Sequence, residues 1–385
     1  MIITNLKKED RRFQANDFVT LEIKTYGKDN LYPQTAKLLT SSSGIAASCL
    51  RTYQKFIEGR GFRDEKFYGI VVNGHGLECD ELLRLVSNDL ADYGGFSLHF
   101  NYNALCEISE INHVPFENCR LTIEDDNDYI SKIALHPDWG KLKKKTKSKG
   151  ISKKTIDYID VYNPKKEIVQ AQIEKSGGIE HYNGQILYFS ITGNLVYPLP
   201  IYDPECTDIS TDIGISNVMY RNTRYNFLTS GMLIRKKRSG NDADDESEDD
   251  KFSNSFKQFQ GDENACKIID VVAEFDEEEP KFIPFKTNSF DKEFTVTEKS
   301  LSERIGRVFQ QPPILRSETV PTGFTQDAIN DAYNFYNSIT EPERRIIERA
   351  FKKIFSNYYD KSVNPSNDFS IIPLKYLVDA ANNIS

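Results

Sequence analysis

Long apolar runs are missing from this chain of 385 residues, and so is any excess of positive charge. Stretches such as Ile268 to Val272 and Gln185 to Ile191 fall far short of the ~20 residues a membrane span needs, so no membrane crossing is expected. The net charge of −9 argues against a protein that coats nucleic acid, because such coats neutralise phosphates with a cationic surface. Near the N-terminus, Lys7, Lys8 and Glu9 stand where a secretory signal needs an apolar core, and no cleaved leader is expected. Cys49, Cys79, Cys106, Cys119, Cys206 and Cys266 form no Cys-x-x-Cys pair, which excludes a zinc ribbon and a regular disulfide framework.

Sequence signatures of catalysis are equally scarce. His75, His99, His113, His136 and His181 show no His-Glu-x-x-His spacing, and the expectation is surface or internally satisfied imidazoles with no zinc site. Gly74-His75-Gly76 follows a strand-like Ile70 to Asn73, but the third glycine of a dinucleotide loop would fall at Cys79. A P-loop lysine and a Gly-x-Ser-x-Gly elbow are also absent. No cofactor is implied, and the chain is expected not to be an enzyme. What is present is 38% hydrophobic and 12% aromatic residues, enough for two or three cores and large packed interfaces.

The expected fold class is α+β. Leu38 to Phe56 reads as a helix, preceded by a helical run from Pro33. Glu65 to Val72 reads as a strand, and Leu77 to Leu90 as an amphipathic helix stopped at Gly94-Gly95. Short strands follow: Phe96 to Phe100 and Leu105 to Ile111 around an Asn101-Tyr102-Asn103 turn, then Arg120 to Ile123 and Tyr129 to Leu135. The lysine-rich stretch from Lys141 to Lys154 reads as a solvated hairpin tip in preference to a phosphate patch.

Thr207 to Ser230 reads as a helix stopped by Gly231. The basic cluster Arg235, Lys236, Lys237 and Arg238 runs into an acidic block from Asn241 to Asp250, expected to be disordered or solvent-facing. Phe252, Phe256 and Phe259 would share one face of a short helix, and Lys267 to Phe275 and Lys281 to Phe285 read as strands. A returning helix is expected from a Thr295-to-Glu298 capping box, with Leu301, Ile305 and Val308 as its stripe. Gln310-Gln311-Pro312-Pro313 must end it. From Thr325 to Tyr358 two apolar stripes meet at a kink expected at Pro342, with Thr340 and Glu343 capping the restart. At 1.5 Å per residue that strut is roughly 50 Å long.

This order of helix, inserted α/β module, returning helix, Pro-Pro-ended loop and kinked helix resembles the HK97-type phage portal family. The likeness rests on Thr207 to Gly231, on Leu301 to Leu315 (LSERIGRVFQQPPIL) and on Thr322 to Phe335 (TGFTQDAINDAYNF). It implies a mixed α/β wing domain with an antiparallel sheet over 1–206, a first stem helix over 207–230 and a clip over 231–291. A second stem helix over 292–310, a tunnel loop over 311–324, a long kinked wing helix over 325–358 and a short segment over 359–385, a reduced crown, would follow. Gln311 departs from the family, which usually has an apolar residue before the prolines.

The resemblance also implies a head-to-tail homo-oligomeric ring, usually of twelve. It implies a place in the virion at the capsid portal vertex, after assembly in the cytoplasm of a bacterial host. Partners would be the large terminase, a head-tail adaptor, and the major capsid or scaffold protein. Double-stranded DNA would pass the channel without sequence recognition. Arg316 is the one cation of the loop, and it reads equally as a phosphate contact or as a salt bridge between subunits. Ser317, Thr319 and Thr322 would be its neutral companions, while Arg235, Lys236, Lys237, Arg238, Phe252, Phe256 and Phe259 are candidates for partner docking on the clip. Two alternatives stand: a metal-dependent nuclease using Asp276 to Glu279 or the acidic block, and another phage structural protein such as a minor capsid protein.

Overall fold

The computed structural model describes residues 15–126, 129–140, 150–193, 196–225, 231–236, 268–273, 281–284, 290–316 and 325–376. The chain divides into two units, one of residues 1–41, 47–204 and 308–385, the other of residues 42–46 and 205–307. No helix among the described residues is long and apolar enough to cross a membrane.

The first unit opens with a small hairpin, β1 (Asp17–Phe18) and β2 (Ile23–Lys24), and the helix α1 (Tyr32–Ser42). Pro33 sits in the first turn of α1, where its missing N–H leaves nothing unpaired. The expected Leu38-to-Phe56 helix is in fact broken at Ser43, after which α2 (Gly44–Glu58) starts. The reason is local: Ser43 Oγ accepts from the Ala46 amide at 3.0 Å and caps the new helix.

The expected strand from Glu65 is also corrected. Asp64 accepts from the amides of Lys66 and Phe67 and nucleates a single turn, α3 (Glu65–Tyr68), that drives Phe67 into the core. Next, α4 (Cys79–Tyr93) buries Leu82, Leu83, Val86 and Leu90 and ends at Gly94, which takes φ +74°. A side chain there would meet the Leu199 carbonyl at 2.8 Å, so glycine is required twice over.

Six strands make the main sheet: β3 (Gly95–Tyr102), β4 (Ile108–His113), β5 (Cys119–Leu121), β6 (Lys132–Leu135), β7 (Asp157–Val161) and β8 (Gln185–Ser190). Their order is β4-β3-β8-β7-β6-β5, antiparallel throughout except for β7 and β8. That parallel pair needs a crossover, and α5 (Lys166–Ser176) supplies it. The turn after β3 lies at Asn103 to Glu107, beyond the expected Asn101 to Asn103. Asn103 Oδ1 holds the amides of Leu105 and Glu107, and Cys106 turns the chain at φ +57°.

Beneath the sheet lies a core of Tyr26, Tyr93, Phe116, Cys119, Leu121, Ile133, Ile186 and Tyr197. Arg120 is fully buried beside it, its guanidinium 5.5 Å from the Tyr26 ring and 5.2 Å from the Trp139 ring. It donates to Asn30 Oδ1 and to the carbonyls of Asn30, Glu117 and Cys119, which satisfy the charge without a carboxylate.

The unit closes with α8 (Gln326–Ile339) and α9 (Glu341–Phe355), numbered after α6 (Cys206–Tyr225) and α7 (Phe290–Val308) of the second unit. Ile347, Phe351, Ile354 and Phe355 of α9 are buried, with Phe351 tilted against Phe62 at 5.0 Å and Phe355 edge-on to Phe67 at 4.8 Å.

In the second unit α6 and α7 flank three strands, β9 (Gly231–Lys236), β10 (Ile268–Ala273) and β11 (Lys281–Pro284). β10 and β11 do not pair with each other. Each pairs with β9, β10 in parallel and β11 antiparallel. The basic residues of 235–238 concealed β9, since its apolar part is only Met232 to Ile234. α7 begins at Phe290, so Thr295 to Glu298 lie inside the helix and not at its cap.

Candidate functional site

The segment from Phe309 to Arg316, where the chain leaves α7, unites the features singled out by the sequence. Val308 is the last helical residue, Gln310 takes φ +53°, and the two prolines bar any continuation. Pro313–Arg316 then forms a single 3₁₀ turn, closed by the Leu315 amide on the Pro312 carbonyl at 3.0 Å.

Three hydrogen bonds hold this turn to the first unit. Gln311, only 5% exposed, donates through Nε2 to the Cys49 carbonyl on α2 at 2.5 Å and to the Tyr336 hydroxyl on α8 at 3.2 Å. Tyr336 in turn donates to the Phe309 carbonyl at 3.0 Å. Burial pushes the Tyr336 hydroxyl well above its ordinary pKa, so it remains a donor at any working pH. Phe309 is wholly buried, with Tyr53 and Tyr202 each 6.0 Å away.

The next joint, between α8 and α9, is a polar one. Thr325 caps α8 by accepting from the Ala328 amide. Thr340 separates the helices, but it does not cap α9 as expected: its hydroxyl donates back to the Tyr336 carbonyl at 3.0 Å. Glu343 accepts instead from the Tyr53 hydroxyl at 2.9 Å. Pro342 lies in the first turn of α9, so the bend is a helix end followed by a new start. The residue that holds the bend is Arg344, 4% exposed, which donates to the carbonyls of Phe56 and Asn337 and to the Thr340 hydroxyl at 2.7, 2.5 and 2.7 Å. Burial lowers the Arg344 pKa from its ordinary value.

In the second unit, Arg304 of α7 ion-pairs with Asp208 of α6 at 2.8 Å, with Glu205 at 3.9 Å. A hydrogen bond to Asp208, followed by burial, raises the Glu205 carboxyl above its ordinary range. Asp212, also buried on α6, accepts from Ser43 Oγ at 2.6 Å. The Arg304–Asp208 pair ties the two helices together near the ends remote from the small sheet.

Of the candidates read from sequence, Arg316 is half-buried at the end of the 3₁₀ turn. Arg235 and Lys236 are the last residues of β9, opposite Val272 and Ala273 of β10 and beyond the reach of β11 among the described residues. Ser317, Thr319, Thr322, Lys237, Arg238, Phe252, Phe256 and Phe259 lie outside the described residues. The sequence reading passed over the clamp role of Gln311 and the anchors Arg344 and Arg120. For Arg344 a signal existed: it stands three residues before Ile347 and seven before Phe351, on the apolar stripe. Its neighbour Arg345 faces outward and pairs with Glu341.

No family model and no curated protein matches the sequence. Among solved structures, a chain in the neck of the native gene transfer agent particle, computed with C12 symmetry, is 13% identical with a TM-score of 0.51, over 86% of this chain and 82% of that one. A chain in the neck of the empty particle, computed with C6 symmetry, matches with the same identity and score, over 90% and 85%. An HK97-family phage portal protein from Corynebacterium diphtheriae is 8% identical with a TM-score of 0.38, over 78% and 85%, too low to carry an argument. On the two stronger likenesses the chain shares an α+β fold with a chain of a particle neck.

Proposed function

We propose that this chain is the subunit of a portal ring in a phage-type virion, a structural protein through whose axis double-stranded DNA passes. The observation that carries the reading is a fold likeness spanning most of both chains, to a protein in a particle neck computed with C12 symmetry. A ring of about twelve copies follows from head-to-tail contacts whose rotation closes. α6 and α7 are the stem helices, the β9–β11 module is the clip that meets terminase and later the head-tail adaptor, and residues 311–324 form the loop facing DNA. The wing and α8–α9 meet the surrounding capsid or scaffold. The net charge of −9 supports a low-friction channel, since a lysine-rich wall would grip DNA through counterion release.

Negative-stain microscopy of the full-length chain across protein concentration and salt tests this directly. Annular oligomers with no DNA cleavage are expected. A compact monomer that cuts DNA with Mg²⁺, and stops when Asp or Glu residues are substituted, would replace this reading with a nuclease.

A further inference from the structure

Gln311 is a costly residue to bury, and the structure gives its carboxamide one clear task. The Cys49 carbonyl can only accept, so the amide must present its NH₂ group to it, and the same nitrogen reaches the Tyr336 hydroxyl. Tyr336 then spends its own proton on the Phe309 carbonyl, the last residue before the left-handed Gln310. One side chain thereby joins α2, α8 and the end of α7 through a closed set of donors and acceptors. Its Oε1 has no hydrogen-bond partner among the described residues, so the side chain is held entirely through its donor end. Leucine has nearly the same volume and would fill this space, but it offers no donor.

We infer that Gln311 is the positioning residue of the loop that follows it: its carboxamide, clamped between the Cys49 carbonyl and the Tyr336 hydroxyl, fixes residues 312–316 against α2 and α8 of the same unit. The loop base therefore belongs to the first unit, whose boundary falls at Val308, and moves with α2 and α8. Without a donor at position 311 the Cys49 carbonyl and the Tyr336 hydroxyl would each lose the bond that Nε2 supplies. The turn would then open at Gln310, whose positive φ is not preferred by any side chain. This rests on the proposed role of 311–324 as a channel loop only for its consequence, since the clamp itself is a property of one subunit.

Hydrogen exchange followed by mass spectrometry on the full chain tests it, with rates normalised to intrinsic exchange at each pH. Q311L is expected to speed exchange at the Leu315 amide, which bonds the Pro312 carbonyl, at least tenfold, with protection of β3 and β8 unchanged. Q311E discriminates a clamp from packing. A protonated glutamic acid can donate to the Cys49 carbonyl and a carboxylate cannot; with burial at this 5%-exposed position raising the acid's pKa, protection near the parent level at pH 5 should be lost by pH 8. Parent-level protection in both variants at both pH values would overturn the inference. If Q311L fails to fold, the pH split of Q311E decides alone, a flat profile counting against the clamp. Exchange requires no ring, so failure of the channel reading shows in microscopy and failure of the clamp shows here.

Discussion

Replacing Asp92 with asparagine should make the first unit more stable at pH 8 and leave it unchanged at pH 4. Asp92 lies near the end of α4, where Gln54 of α2 donates to its carboxylate at 2.6 Å. Burial first, and the charge of Asp89 one turn earlier second, push its pKa from 3.8 up to about 7. Around it stand Glu117, which accepts from Tyr93 and Lys37, and His113, which bonds Asp89 at 2.8 Å. Lys37 and Gln54 oppose the shift, and Glu117 adds to it.

The folded unit holds this proton more tightly than the unfolded chain does. Its contribution is complete below about pH 3.8 and is lost as the pH rises through about 7. A shift of about three pH units at about 1.4 kcal/mol each sets a ceiling of roughly 4 kcal/mol, and the partial exposure of the side chain brings the expected gain to about 1–3 kcal/mol. Trp139 is the only tryptophan and is buried in this unit, so its emission during urea titration reports this unit specifically. Asparagine keeps the bond from Gln54 while removing the charge. Parallel stability curves for the two proteins from pH 4 to 8 would refute the reasoning.

Arg344→Met should lower stability by about 3 kcal/mol in the same titration, because three buried acceptors lose their donors, with Arg344→Lys recovering less than half. Arg120→Met keeps an apolar stem between Tyr26 and Trp139 but removes the guanidinium donors from the oxygens of Asn30, Glu117 and Cys119, a cost of about 3 kcal/mol, measured likewise by Trp139 emission. Gly184→Ala should be as damaging, since its backbone holds φ +73° and a methyl would fall 2.0 Å from the Phe100 carbonyl; thermal unfolding should drop by several degrees. In the proposed ring, Arg316→Gln should alter the salt dependence of DNA retention.

Much of the helical framework was legible because its signals are local. Gly94 after an amphipathic stripe, two prolines after Gln311, and Thr325 ahead of α8 each act on their own turn of backbone. Glu65 to Val72 misled for the converse reason: a single Asp64 cap outweighed a strand-like composition. β7 and β8 could be read only as unspecified short strands, because their parallel pairing depends on α5 crossing between them.

The amino-acid order alone determined where helices stop, which side of each is apolar, and that no familiar catalytic or metal-ligand spacing is present. Partners distant in sequence were decided by the tertiary structure: Gln311 with Cys49, Arg344 with Phe56, Asp92 with Gln54, and β9 between β10 and β11. Helix caps and stripes are short-range consequences of backbone geometry. The fate of a buried polar group depends on which donors and acceptors the folded chain brings within about 3 Å of it.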